Sequence, residues 1–253
     1  MNRIIIVKSG NESITYGFAD AFAQNSVSTL ICEKDDIEEV IRKYPADAVF
    51  STSFDSNISD ICLREKLAAV FWILSLPAPA LFCPQIIKTN NTVFIPDERT
   101  CEIFRNTGLD NVLFPENCPD LVEYSGIDDR MRFLSDRIMM CLEKDEVSFL
   151  KGMLCAQQAF PDESILFRAL NEDMISRMYS IAGLPAADIP IKKRYVISEC
   201  ILRPLVMKNR KNATATPGRT HDFGTAVSEI LGTGGISAAI RGTVLSIRGR
   251  FCD

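Results

Sequence analysis

The stretch RIIIVKSGN, residues 3–11, is the first that points to a particular fold. Its apolar, β-branched run predicts a strand that is buried on both faces, and Ser9-Gly10-Asn11 predict a tight loop at the end of that strand. Apolar side chains then recur at helical spacing from Ile14 through Phe18 to Phe22. The chain is therefore predicted to begin with a strand, a glycine-containing loop and a helix.

The same alternation continues as far as residue 114. Further strands are predicted at 27–32, 48–51, 68–74, 93–95 and 112–114, and further helices at 36–44, from about 56 to 67 and at 98–107. Ser56 or Asn57 is expected to cap the second of these helices, because either side chain can accept a hydrogen bond from a free backbone N–H. Strands that alternate with helices predict a parallel sheet with helices on both faces, which is a Rossmann-like α/β fold.

Beyond about residue 120 the pattern becomes helical. Helices are predicted at 127–142, 146–160, 163–181 and 192–209. The predicted organisation is a Rossmann-like domain at 1–120, a helical appendage at 121–208 and a Gly/Arg-rich tail at 209–253. The tail has one weak helical segment near 224–231, and we expect it to be weakly ordered or loosely docked. A shifted reading frame after about residue 208 is an alternative explanation for the abrupt change in composition.

Composition argues against several classes of function. The 33 acidic and 28 basic residues give a net charge of -5, so the chain has no general attraction for nucleic acid or an anionic membrane. Nine cysteines without C-x-x-C spacing and a single histidine, His221, predict free thiols in a cytoplasmic protein with no metal and no cofactor. The longest apolar stretch, residues 67–82, contains two prolines and is shorter than the roughly 20 residues that cross a bilayer. No membrane span is expected.

The candidate binding residues follow from the predicted sheet. In an open parallel sheet, ligands bind beyond the carboxyl ends of the strands, where loops and helix N-termini present free N–H groups. The residues expected at these ends, and taken as candidates for substrate binding, are Ser9, Gly10, Asn11, Ser53, Phe54, Trp72, Ser75, Asp97, Glu116 and Asn117. Catalytic residues remain unassigned, because no serine or cysteine nucleophile in an elbow motif accompanies His221.

Several of these candidates also have a purely structural interpretation. The loop at residues 8–13 matches neither G-x-G-x-x-G nor a P-loop, so Gly10 either makes a plain turn or contacts a phosphate or sugar hydroxyl. Trp72 either fills the core or forms a stacking wall for a sugar or base. Asp97 either caps the following helix or contacts substrate.

Six short motifs together resemble the amino-terminal domain of CgeB-like, spore-maturation-type glycosyltransferases. They are ADAVFS at 46–51, VFWILSLP at 70–77, VFIPD at 93–97, NVLFP at 111–115, FLKGML at 149–154 and AQQ at 156–158. The resemblance covers roughly residues 1 to 210 and lies in the order and spacing of these motifs.

This resemblance implies a GT-B type enzyme, in which the present half forms the acceptor side of a cleft and a second Rossmann-like half holds the nucleotide sugar. The segment from Lys208 onward is too short to build that second half, which leaves two alternatives: a partner chain that supplies it, or a truncated protein without it. The family commonly has aspartate in Trp-x-x-Asp-x-Pro, whereas this chain has Ser75 there. Asp97 matches the second aspartate of the family pattern.

Two functions from different classes are therefore expected. The first is a glycosyltransferase-like protein that binds a carbohydrate or another acceptor and is incomplete for catalysis alone, because transfer requires donor and acceptor to be held in one geometry. The alternative is a non-enzymatic binding or protein-partner module with a Rossmann-like fold.

Overall fold

The computed structural model describes residues 3–115, 123–124, 129–186, 189–207 and 222–232. The chain divides into two compact units. The first contains residues 1–75, 83–122 and 215–253, and the second contains residues 76–82 and 123–214. The first unit has a six-stranded parallel sheet with helices, which confirms the predicted Rossmann-like α/β fold class.

The strands of the main sheet all run parallel. In chain order the strands are β1 Arg3–Val7, β2 Ser28–Cys32, β3 Ala48–Ser51, β4 Ala68–Trp72, β5 Ser75–Leu76, β6 Asn91–Phe94, β7 Val112–Leu113 and β8 Glu123–Tyr124. The main sheet has the order β2-β1-β3-β4-β6-β7, and β5 pairs with β8 in a separate two-stranded sheet. The register is continuous, with Val7 beside Cys32 and Ile6 beside Phe50, so the carboxyl ends of the strands share one edge.

The helices of the described residues have the following bounds: α1 Glu12–Gln24, α2 Ile37–Lys43, α3 Ser56–Arg64, α4 Glu98–Arg105, α5 Asp129–Cys141, α6 Lys144–Ala159, α7 Ile165–Ala169, α8 Glu172–Ile181, α9 Pro190–Tyr195 and α10 Phe223–Gly232. A π-helix at Val196–Leu202 and a 3₁₀ turn at Arg203–Leu205 extend α9. No helix within this described part of the chain is long and apolar enough to span a bilayer.

The core of the first unit follows from the alternation of side chains along its strands. Ile4 and Ile6 of β1 point to the face that α1 covers, and both are buried together with Phe18, which contacts Phe50 at a ring-centroid distance of 4.7 Å. On the opposite face, Phe71 packs against Phe54 at the same distance. Burial of apolar area on both faces stabilises the sheet at about 25 cal/mol per Å².

The helix α10 belongs to the first unit, although it lies in the segment predicted as a tail. Its side chains Ala226, Val227 and Ile230 are completely buried in the same cluster as α1 and the sheet. The ring of Phe223 lies over Gly17 of α1, where a Cβ atom would come within 2.3 Å of it. Glycine at position 17 therefore makes room for α10.

The second unit differs from the prediction in two places. A single helix is predicted at 163–181, but the chain forms α7 and α8, because the Asn171 side chain accepts a hydrogen bond from Met174 N at 2.8 Å and starts a new helix. The helix predicted at 192–209 begins earlier, at Pro190, whose missing N–H suits the first helical position. Its later part is π-helix and 3₁₀ turn, and is not regular α-helix.

Candidate functional site

The topology of the sheet selects one place on its carboxyl edge. Strand order runs β2-β1 in one direction and β3-β4-β6-β7 in the other, so the order reverses between β1 and β3. Open α/β sheets bind ligands at such a switch point, because the loops after the two strands diverge and leave a crevice. The candidate site therefore consists of the loop after β1, with Ser9, Gly10 and Asn11, and the loop after β3, with Ser53.

The loop after β1 is fixed by its own hydrogen bonds. The Ser9 N–H donates to Thr15 Oγ1 at 3.0 Å, and the Ser9 hydroxyl donates to the Asn11 carbonyl at 2.7 Å. The Asn11 side chain caps α1 by accepting from Ser13 N at 3.2 Å and from Ser13 Oγ at 2.8 Å. Hydrogen bonds within the chain therefore stabilise this loop.

Gly10 is exposed in this loop, and no contact with the residues that the structure describes requires a glycine there. Its φ lies outside the left-handed region, and a Cβ atom built on it would meet no atom within 4 Å. Other residue types could form this turn, so the plain-turn interpretation does not explain why position 10 is a glycine. The absence of a side chain leaves the backbone open to close approach from solvent.

Charged side chains flank the loop after β1. The Lys8 ammonium lies 3.0 Å from Glu12 and 3.1 Å from Glu33, which joins the ends of β1 and β2. The hydrogen bonds that Lys8 donates to Glu12 and Glu33, together with the negative charges of these carboxylates, raise the pKa of Lys8 to about 12. Lys34 forms an ion pair with Asp55. Both lysines next to the switch point are therefore neutralised by carboxylates of the chain itself.

The loop after β3 also begins a helix, and its cap differs from the prediction. Asp55 caps α3 by accepting from Asn57 N at 2.9 Å and Ile58 N at 3.1 Å, so neither Ser56 nor Asn57 is the cap. Partial burial acts to raise the pKa of Asp55, but the Lys34 ammonium and these backbone bonds outweigh it, and the pKa is lowered. Asp55 directly precedes Ser56, the first of the two predicted caps, and its carboxylate accepts from the N–H groups of both Asn57 and Ile58.

Two aromatic candidates are not available to a ligand. Trp72 is fully buried and its ring stacks on Phe94 with a centroid distance of 5.4 Å and an interplanar angle of 21°. Phe54 is buried against Phe71. The interpretation of Trp72 as a stacking wall is therefore corrected: the ring points into the core, where it fills volume. In contrast, Ser53 and Ser75 are exposed.

Asp97 acts as a helix cap. Its carboxylate accepts from Thr100 N at 2.9 Å, and the buried Arg99 guanidinium donates to it at 3.2 Å. Strand β6, which precedes Asp97, is separated from β3 by β4. The structure therefore places Asp97 away from the switch point, in its structural role. The remaining candidates, Glu116 and Asn117, lie outside the described residues.

Nucleophilic and metal-ligating groups are sparse at this edge. Among the residues that the structure describes, no three His, Cys, Asp or Glu side chains are grouped to hold a metal ion. The nearest thiol in sequence, Cys32 at the end of β2, is buried, and burial with the charges of Asp36 and Glu33 raises its pKa to about 11. A thiol of that kind is protonated at neutral pH and is a poor nucleophile.

The cysteines should differ sharply in reactivity. We expect brief alkylation of the native protein to modify the exposed Cys141 and Cys155 and to spare Cys62 and Cys200. Burial raises the pKa of both spared thiols to about 12, with a further contribution from Glu199 at Cys200. At pH 7 a pKa near 11 already leaves only about one thiolate in ten thousand. Peptide mapping by mass spectrometry checks this, with the denatured protein as control, and rapid native labelling of Cys62 would contradict it.

The polar partners of the loops were missed from the sequence. Thr15 anchors Ser9, and Lys8 joins Glu12 to Glu33. The Lys8–Glu12 contact is not a helical i, i+4 pair, because Lys8 lies before α1 begins at Glu12, so its spacing alone does not reveal it. The Glu33 contact is not detectable, because it depends on β2 lying beside β1. Comparisons with models of protein families, with curated proteins and with solved structures find no match for this chain.

Proposed function

We propose that the chain is a glycosyltransferase-like protein that forms the acceptor side of a GT-B type enzyme and binds a carbohydrate or another hydroxyl-bearing acceptor. The observation that supports this most is the polar lining of the switch point. The Asn11 side-chain NH2 group and the exposed Ser53 hydroxyl are offered there, Gly10 leaves the backbone accessible, and the Ser9 hydroxyl holds the loop through its bond to the Asn11 carbonyl. Such groups both donate and accept hydrogen bonds, as sugar hydroxyls require.

The charge arrangement favours a neutral ligand over a nucleotide at this edge. A phosphate would need cations that are free to turn towards it, but Lys8 is held by Glu12 and Glu33, and Lys34 by Asp55. The loop also lacks the glycine pattern with which backbone N–H groups surround a pyrophosphate. An acceptor rich in hydroxyl groups avoids both requirements, because it is bound through neutral hydrogen bonds.

Catalysis under this proposal requires a donor site that faces the acceptor. Holding the two substrates in one reactive geometry removes much of the entropic barrier to transfer, so half of the cleft is expected to bind without turning over. A nucleotide-sugar domain that faces these loops would complete the cleft. Incubation of this chain with a panel of nucleotide sugars and acceptors tests this step: we expect no transfer, and clear turnover would refute the proposed incompleteness.

Substitution of Gly10 tests the position of the site. We expect Gly10→Val to weaken acceptor binding by about tenfold, because the new side chain occupies the space in which the ligand approaches the backbone. The fold should be unaffected, since a Cβ atom at this position has no neighbour within 4 Å. Saturation-transfer NMR with a panel of mono- and oligosaccharides measures the binding.

The matched control is Gly152→Val on α6, where added carbon also meets nothing within 4 Å but which belongs to the second unit. Thermal unfolding of both variants should stay within about 0.5 kcal/mol of the parent chain. Equal binding by Gly10→Val and the parent would place the ligand elsewhere. Absence of binding by the parent to every saccharide in the panel would argue against a carbohydrate acceptor.

The alternative, a protein-partner module, is favoured by exposed apolar side chains in the second unit. Phe133 and Met140 on α5 are 62% and 85% exposed, and Phe149 on α6 is 40% exposed. Phe133 and Met140 are seven residues apart and so share one helix face. Light scattering with candidate partners distinguishes the two functions: complexes that Phe149→Ser and Met140→Ser abolish would support a partner module.

A further inference from the structure

Within the part of the chain that the structure describes, the outer edge of the main sheet at β2 is open. Among these residues the strand pairs with β1 alone, as the first strand in the order β2-β1-β3-β4-β6-β7. The Cys32 carbonyl accepts from Lys8 N at 2.9 Å, so the backbone groups of Cys32 point to β1. Because successive residues of a strand direct these groups to opposite sides, Thr29 and Ile31 direct theirs outwards.

This edge lacks the features with which proteins usually prevent edge-to-edge pairing. Strands at sheet edges are commonly short, charged, interrupted by proline or bulged. The β2 strand has five residues, STLIC, with no charged residue and no proline, and its register with β1 continues without a bulge from Ser28 to Cys32. The opposite edge strand, β7, has only two residues. The two edges therefore differ, since β2 is long enough to pair with a further strand and β7 is not.

We infer that two copies of this chain pair through β2, antiparallel and about a two-fold axis at Leu30, so that their sheets form one continuous sheet. Only this axis overlaps all five residues of both strands. It sets Thr29 of each copy opposite Ile31 of the other, and these are the residues whose N–H and C=O groups point outwards. Leu30 meets Leu30 of the second copy as a non-hydrogen-bonded pair, with Cβ atoms about 4.5–5.5 Å apart.

The charge distribution favours the antiparallel orientation of two copies over the parallel one. The segment after the strand, residues 33–36, carries three carboxylates and one ammonium, whereas the residues before it, Asn25, Ser26 and Val27, are neutral. An antiparallel pair about Leu30 brings the acidic end of each strand next to the neutral start of the other. A parallel arrangement would instead set the acidic ends of the two copies side by side, and like charges in that position are destabilising.

The side chain at the axis fits the same arrangement. Leu30 is 36% exposed, although it lies in the middle of a strand, and Thr29 and Ile31 on either side are half-buried. Contact with a second Leu30 would remove this apolar surface from water. Cross-strand apolar pairs of this kind contribute roughly 0.2–1 kcal/mol each, in addition to the backbone hydrogen bonds.

A charge-swap experiment tests the pairing. Light scattering of the full chain should give twice the chain mass of 28.2 kDa. Leu30→Lys and Leu30→Glu should each weaken self-association by about tenfold or more, because like charges then face each other across the axis. An equimolar mixture of the two variants should restore the dimer. Leu63→Lys, at a similarly exposed leucine on α3, is the control and should leave the dimer intact.

Hydrogen exchange gives a second readout that needs no substitution. The amides of Thr29 and Ile31 should become protected as the concentration of the parent chain rises, while those of the exposed loop at Ser53 should not. A strictly monomeric parent chain, or a dimer that Leu30→Lys leaves unchanged, would overturn the inference. Recovery in the mixed sample would fix the two-fold axis at Leu30.

Discussion

Val227→Asp is expected to lower the free energy of unfolding by about 3–5 kcal/mol, because the new carboxylate would have no buried partner. Val227 on α10 is completely buried in the cluster that α1 and the main sheet form. In the variant, α10 either keeps its position and buries the charge, or detaches from the core and exposes the apolar side chains beneath it. Either response removes stability from the first unit, and thermal unfolding should shift by about 10 °C.

Ser228→Asp is the matched control, since Ser228 is the next residue of α10 and is exposed. It should change stability by less than about 0.5 kcal/mol. Limited proteolysis provides an independent measurement: residues 222–232 should resist cleavage in the parent chain and in Ser228→Asp, and become sensitive in Val227→Asp. Equal sensitivity in all three proteins would mean that α10 does not form part of the core in solution.

The same result bears on the reading-frame explanation of the tail. A segment translated in a shifted frame would not be selected to fit the rest of the fold. The α10 helix instead presents Ala226, Val227 and Ile230 to the core, and its Phe223 ring lies where only a glycine at position 17 leaves room. This complementarity favours α10 as an integral part of the first unit.

The elements of the sheet could be predicted from local pattern, but their order could not. Strand β3 matches the predicted 48–51, because Ala48 to Ser51 is a short apolar run after Pro45. The short strand β5 was missed, because it has only two residues and follows β4 closely. The burial of α10 was not predicted either, because a weak helical pattern does not show which part of the core a helix packs against. Such contacts depend on distant residues that meet only in the folded chain.

The candidate site was predicted in outline and not in detail. Residues after β1 and β3 do lie next to each other, as the rule for parallel sheets implies. Trp72, however, ends its strand with the side chain turned to the core, because the alternation from Ala68 places it on the same face as Val70. The neighbours Phe71 and Ile73, which point to the other face, are buried as well, so a strand covered on both faces gives no ring at this position access to solvent.

Glu199→Ala is expected to have the largest effect in the second unit, again about 3–5 kcal/mol, since it leaves a guanidinium buried without its carboxylate. Glu199 and Arg203 form an ion pair at 3.0 Å, and their side chains are 2% and 4% exposed. Arg203 also donates to the Pro161 carbonyl at 2.8 Å, which links the 3₁₀ turn after the π-helix to the segment that follows α6. Calorimetric unfolding measures the loss.

Two comparisons separate the buried pair from an ordinary ion pair. Glu39→Ala removes an exposed carboxylate from a pair with Lys43 at the same spacing of four residues, and it should cost less than about 1 kcal/mol. The double variant Glu199→Leu/Arg203→Met should recover most of the stability that Glu199→Ala loses, because it replaces both charges with apolar groups of similar size. If the double variant is instead as unstable as Glu199→Ala, the stability of this region depends on the Arg203–Pro161 bond more than on the pairing of charge.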